Sequence, residues 1–198
     1  MLRSMTFMDH MNFEISLQKY YATLDGVAWP KIDYDLLFRK VSTSKGMDHV
    51  KGYIFAPKPD DFLMQDTKLH GNYKWLLGLA NKRYIDVVFG RYLARPTNDN
   101  KPMDISDRSS YYKVEKGTDI NLALNAISKA QYNSYDTAFI YSVDSDYINV
   151  YRQLKSMGKI VVIVTVKGQY ISKDIIPEID DFILLDNDFL CQCSMAGK

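Results

Sequence analysis

Apolar positions recur along the chain in two rhythms. Short runs dense in branched and aromatic residues alternate with longer stretches in which apolar side chains return every three or four positions. Thr6-Phe7-Met8 predicts a short buried strand. Residues 50–56 predict a second, closed by Pro57-Lys58-Pro59, and residues 85–93 a third that stops at Arg95-Pro96. Further strands are predicted over 138–141, 160–166 and 182–185; the run Ile160-Val161-Val162-Ile163-Val164 suits a strand covered on both faces of a parallel sheet. Helical spacing predicts helices over 14–24, 33–42, 68–82, 118–131 and 145–157, the last ended by Gly158. Their expected inward positions are Ile15 and Leu17; Leu36, Leu37, Phe38 and Val41; Tyr73, Leu76, Leu77 and Ala80; Ile120, Ala123, Leu124, Ile127 and Ala130; and Tyr147, Val150, Tyr151 and Leu154. Strands alternating with helices predict a three-layer α/β/α fold with a mainly parallel central sheet. Residues 96–110 break the rhythm. This polar, aperiodic segment is long for a connection inside a compact domain, so a functional flap or a mobile insertion is expected there.

Composition adds bounds. The 198 residues suit one domain, with a core over about 5–185 and a C-terminal tail over 186–198, and the 46% apolar content predicts a packed interior. Twenty-five Lys and Arg face 24 Asp and Glu, so any polyanion site must be a local patch. No run approaches the ~20 apolar residues of a membrane span, and Asp9 cuts the N-terminal apolar run too early for a signal peptide. A soluble, cytoplasmic protein is the expectation. Cys191 and Cys193, one residue apart, predict free thiols rather than a disulfide framework or a zinc site.

In a parallel α/β sheet the ligand site lies beyond the C-terminal ends of the strands. Asp9 follows the first predicted strand, with Asn12 three residues on. Asp144 and Asp146 follow the strand ending Ile140-Tyr141-Ser142, and Asp119 opens a helix after Lys116-Gly117-Thr118. Singly, each acid has a plainer role as a turn residue or a helix-start carboxylate. Four carboxylates on one rim would repel, and such a cluster normally hosts a cation. Oxygen donors of this kind suit Mg²⁺ or Mn²⁺.

These blocks carry a resemblance. Phe7-Met8-Asp9-His10-Met11-Asn12 resembles the apolar-Asp-x-x-Asn opening of NYN domains, a branch of the PIN-like nucleases. Lys116-Gly117-Thr118-Asp119 is similar to that family's Lys-Gly-x-Asp segment, and Ser142-Val143-Asp144-Ser145-Asp146-Tyr147 to its Ser-x-Asp-Ser-Asp-aromatic stretch. The order matches, over roughly residues 5–185. The resemblance implies a PIN-like, Rossmannoid fold and a metal-dependent ribonuclease. Asp9, Asp119, Asp144 and Asp146 would then hold one or two Mg²⁺ or Mn²⁺ ions that activate a water for attack on a phosphodiester. Asn12 would orient a carboxylate or meet the scissile phosphate, Ser142 and Ser145 would hydrogen-bond to the metal shell, and Lys116 would meet phosphate as a point charge. His10 and Met11 stand where small residues are more usual, and the 96–110 segment is an elaboration.

RNA also needs a groove. Lys82, Arg83, Arg91, Arg95, Lys101, Arg108, Lys113 and Lys116, interleaved with Tyr92, Tyr111 and Tyr112, suit single-stranded RNA, with Arg91, Arg95 and Lys113 as the foremost contacts. A solvated basic edge over core tyrosines explains the same residues. His10, His49 and His70 are unclustered, with His10 expected in a turn, and Trp29 and Trp75 read as packing residues. No glycine-rich phosphate loop points to ATP or a dinucleotide. Two alternatives remain: a non-catalytic NYN-type module that binds RNA or protein, and a phosphatase of the haloacid dehalogenase type using Asp144 and Asp146 with Asp180-Asp181 downstream. The latter needs its nucleophile strand early in the chain, yet only 52 residues follow Asp146. A homodimer is compatible with either NYN reading.

Overall fold

A computed structural model describes residues 1–195. Its centre is a seven-stranded sheet ordered β4-β3-β2-β1-β5-β6-β7. The strands are β1 (Arg3–Asp9), β2 (Asp48–Pro59), β3 (Ile85–Pro96), β4 (Tyr111–Lys116), β5 (Thr137–Tyr141), β6 (Ile160–Val166) and β7 (Asp181–Leu185). All pairs are parallel except β3 with β4. From β1 the chain builds outward through β2 and β3, then returns to lay β5, β6 and β7 on the other side. The order therefore reverses between β1 and β5, the point at which parallel α/β sheets place their ligand crevice.

Strand alternation divides the core between two helical layers. Met8, Ile54, Phe139 and Val162 face α1 (His10–Tyr21), α2 (Tyr34–Ser44), α3 (Thr67–Leu79) and the short α6 (Asn187–Cys191). Their neighbours Phe7, Phe55, Ile140 and Ile163 face α4 (Thr118–Gln131) and α5 (Ile148–Ser156). The expected three-layer α/β/α architecture is what the chain adopts. Aspartates start the helices: Asp9, Asp33, Asp66 and Asp186 each accept from backbone N–H groups of the first turn of α1, α2, α3 and α6. Among the described residues no helix is long and apolar enough to cross a membrane.

Several expectations need correction. The inward face of α4 is Thr118, Leu122, Ala126 and Ala130, whereas Ile120 and Leu124 are 64% and 61% exposed. The helix start lies hard against β3 and turns Thr118 inward: a Cβ on Gly90 would come within 2.4 Å of Thr118 Oγ1 and 2.8 Å of the Lys116 carbonyl oxygen. Ile15 and Leu77 are likewise exposed. Pro57 and Pro59 do not close β2 but continue it, opposite Gly90 and Tyr92. Beyond Phe55, β1 has ended. The N–H positions of residues 57 and 59 turn to that empty side, while Asp60 N–H still reaches the Tyr92 carbonyl on β3, so proline costs no ladder bond there. His10 is not in a turn; it is the first residue of α1, buried against Tyr34 and Trp75.

Strand β4 lay outside the expected elements, and it turns the 96–110 segment into the loop of a long hairpin. Thr97 N–H bonds to the Ser110 carbonyl, Asp104 and Asp107 organise the tip, and Arg108 pairs with Asp66 at the start of α3. Cys191 and Cys193 are free thiols, exposed and buried respectively. The expected tail is partly structured: α6 places Leu190 in the core, Ile32 bridges Ser194, and residues 196–198 lie outside the described residues.

Gly90 yields a prediction. Gly90→Ala forces the β4–α4 connection away from β3, since the nearest obstacles include backbone atoms of Lys116 and Thr118. A loss of about 1–3 kcal/mol is expected, as for other overpacked sites, read as a lower midpoint in urea unfolding. An unchanged midpoint would show that this approach is loose.

Candidate active site

The crevice at the C-terminal ends of β1 and β5 gathers acids from distant parts of the chain. Asp9 is the last residue of β1 and the cap of α1; it is buried and accepts from Asn12 N–H at 3.0 Å. Asn12 Oδ1 in turn accepts from Val143 N–H at 3.2 Å, tying the start of α1 to the loop after β5. Gly117, at φ +83°, turns the chain from β4 into α4, a conformation that suits a residue without Cβ. This turn delivers Asp119 to the crevice, and Asn121 Nδ2 fixes the same helix start to the Phe89 carbonyl at 3.2 Å.

Tyr147 joins the two acids. Its hydroxyl lies 2.9 Å from Asp119 Oδ1 and 3.3 Å from Asp9 Oδ2, so one proton is shared between two carboxylates. Burial and the charges of Asp9 and Asp119 push this phenol far above its ordinary range, which keeps it a donor. Burial is also the main cause of a raised Asp9 pKa, up to about 6; the Asn12 N–H opposes it, and Glu115 and Asp119 add repulsion. Glu115, near the end of β4, is raised by burial and by Asp119, against the neighbouring Thr118. The acids gathered here are thus a buried Asp9, a half-buried Glu115 and an exposed Asp119.

Asp144 stands at the edge of this group. Its amide donates to Ser142 Oγ at 3.2 Å, and its Oδ1 accepts from Asp146 N–H at 3.0 Å, capping the single 3-10 turn Ser145–Tyr147. Its charge and that of Asp9 both act on the buried Tyr151 phenol, whose pKa is raised first of all by burial. Ser142 is buried, whereas Ser145 and Asp146 are exposed. Among the described residues no three His, Cys, Asp or Glu side chains form a ready metal cage. Two converging carboxylates, Asp9 and Asp119, remain a sufficient donor set for Mg²⁺, which commonly takes one or two carboxylates and fills its shell with water and phosphate oxygens.

The basic residues divide between two faces of the β3–β4 ribbon. Arg91 pairs with Lys116 and Arg95 with Tyr112, so these four share one face. Lys113, Tyr92 and Glu115 share the other, with Lys113 Nζ 5.7 Å from the Tyr92 ring centre. Burial and the nearby Arg108 hold the Lys113 pKa below its ordinary value. Lys82 is committed to Asp33 and Arg108 to Asp66. Tyr111 is buried against Phe62 and offers no stacking face, while Tyr112 is exposed. Asp180 accepts from Val161 N–H at the start of β6, the opposite rim from Asp144, so the Asp180-Asp181 pair cannot complete a phosphatase site.

Residues 3–186 match the NYN domain. The chain belongs to the NYN family. This NYN domain also resembles the crystal structure of a protein of unknown function from Vibrio parahaemolyticus, with 20% identity, 96% of each chain covered and a TM-score of 0.55. That likeness extends to the fold. No curated protein matches the sequence. The family is one of PIN-like nucleases that generally use divalent metals. Within the NYN domain, Glu115 and Tyr147 join the site without having been anticipated from sequence. Glu115 sits in the unrecognised β4, and Tyr147 shares its helical spacing with core residues.

Proposed function

We propose that this NYN domain is a metal-dependent ribonuclease acting on single-stranded RNA at the crevice between β1 and β5. The observation that carries the reading is the convergence of Asp9 and Asp119 on one tyrosine hydroxyl, with Glu115 close by: like charges are held together, partly out of water, at the sheet's switch point. Asp9 and Asp119 would hold Mg²⁺ or Mn²⁺, with Asp144 supporting from the rim. Bound there, the ion would supply charge neutralisation and a water of lowered pKa.

The chain's own groups have defined tasks in this reading. Tyr147 keeps the two carboxylates at a fixed separation and restrains the Asp9 proton. Asn12 and Ser142 hold the loops that carry Asp9 and Asp144. Lys113, on the same ribbon face as Glu115, is the basic side chain best placed for the RNA backbone; Arg91, Arg95 and Lys116 extend a positive surface round the edge, and Asp146 and Ser145 border the opening. The test is cleavage of single-stranded RNA by the purified chain in Mn²⁺ or Mg²⁺. Loss of cleavage in chelator and recovery on adding metal are expected. Cleavage indifferent to chelator would overturn the metal reading, and RNA binding without cleavage in any divalent ion would make the domain a binding module.

A further inference from the structure

Beside the acidic crevice lies a second concave site on the α1–α3 side of the sheet. A hollow of about 480 Å³ is lined by Glu14, Trp29, Lys31, Tyr34, Asn72 and Trp75, a size within the range of small-ligand sites. Glu14 and Asn72 also line a narrower hollow of about 130 Å³, which continues past His10 to Tyr92. Tyr92 is the cross-strand partner of Glu115, and His10 follows Asp9 in the chain, so the narrower hollow ends at residues that adjoin two of the acids. The His10 imidazole is buried there. Its Nε2 has no hydrogen-bond partner among the described residues and stands 3.7 Å from Glu14 Oε1, so the Glu14 carboxylate, which lines both hollows, keeps its hydrogen-bonding capacity for another donor.

The lining favours one chemical class. Trp29 is 41% exposed, with one ring face stacked on Tyr21, and Trp75 is braced by His10 and Tyr34. Rigid aromatic walls of this kind stack planar bases. A carboxylate in the same hollow calls for adjacent N–H donors. Among the RNA bases only guanine presents two on neighbouring atoms of its pairing edge, N1–H and N2–H₂, beside an O6 acceptor that Lys31 or Asn72 can satisfy. We infer that this hollow binds a guanine base, stacked on the tryptophan walls and held by the Glu14 carboxylate. The site gives the ribonuclease reading a base preference next to its chemistry, and in that respect it rests on that reading; the binding itself does not require turnover.

The test is binding of GMP, AMP, CMP and UMP to the full chain in chelator, followed by tryptophan fluorescence and calorimetry. GMP is expected to bind about tenfold or more tightly than the other three. Glu14→Gln should erase that preference, and Trp29→Ala should weaken GMP about tenfold; both side chains are partly exposed, so folding is expected to persist, checked by circular dichroism. Asp119→Asn should leave GMP binding unchanged. Equal binding of all four nucleotides, or a guanine preference that survives Glu14→Gln, would overturn the inference. Competition by single-stranded RNA containing one guanosine, but not by the same RNA without it, identifies an RNA base as the occupant; competition by neither identifies the free nucleotide, and both outcomes uphold a guanine site. Metal-dependent cleavage without guanine binding removes this inference alone, whereas guanine binding without cleavage removes the nuclease reading alone.

Discussion

Asp119→Asn is expected to reduce metal-dependent RNA cleavage by about 10²–10³-fold or more, the scale on which charge-stabilising groups act in active sites. The substitution keeps the shape of the side chain and an oxygen to accept from Tyr147, so the helix start and the Tyr147 bridge persist. What disappears is one of the two carboxylate charges that meet at the Tyr147 hydroxyl. Asp9→Asn should have a comparable effect, since the amide can still cap α1 by accepting from Asn12 N–H but offers a metal far less. The placement of the remaining acids predicts a ranking. Asp144→Asn should cost less than either, and Asp146→Asn least: the Tyr147 hydroxyl meets Asp9 and Asp119, and of the other two acids Asp144 is the one whose charge acts with that of Asp9 on Tyr151. Initial rates under matched metal concentration, with thermal unfolding of each variant, check the series. Wild-type turnover in Asp119→Asn, with folding intact, would end the nuclease reading.

The parts of this site that were legible in the sequence share a cause. Asp9 and Asp144 close apolar runs, and an apolar run ended by a carboxylate fixes both the strand and the rim on which the acid stands. Asp119 was legible because Lys116-Gly117-Thr118 marks a helix start. The hidden parts depend on pairing across the fold. Tyr-Tyr-Lys-Val-Glu-Lys over residues 111–116 has no clean alternation, and it becomes a strand because β3 extends past its parallel neighbours and offers an open edge. With that strand went Glu115. Tyr147 lies at the same spacing as Val150, Tyr151 and Leu154, and it is indeed buried with them. Its hydroxyl gains a role only when Asp9, 138 positions away, and Asp119, 28 away, arrive beside it. The face of α4 was misread for a related reason. Apolar spacing alone admits Ile120 and Leu124, but the close approach of Thr118 to Gly90 fixes the helix start, and Leu122, Ala126 and Ala130 follow Thr118 inward.

Asp9 also makes the site costly to the fold, and Asp9→Asn should reveal it as a gain in stability. Folding raises the Asp9 pKa from its ordinary 3.8 to about 6, chiefly by burial. Below pH 4 the carboxyl is protonated in both states and folding has no charge to bury. Between pH 4 and 6 the native state binds more protons than the unfolded chain, so this group's contribution falls as pH rises. Above pH 6 the deficit is complete, about two pKa units or roughly 3 kcal/mol. An asparagine never ionises, so Asp9→Asn should match wild type at pH 4 and exceed it at pH 8. For a chain of this size the midpoint gain corresponds to about 6–12 °C. The measurement is thermal unfolding in chelator across that pH range. Adding Mn²⁺ should then raise the wild-type midpoint at pH 8 far more than that of the variant, because only an ionised Asp9 gives the ion a full ligand. A variant that is less stable than wild type at pH 8 without metal would mean that favourable contacts outweigh the cost of burying the Asp9 charge beside other acids, and the site would lose its claim to be built for a cation.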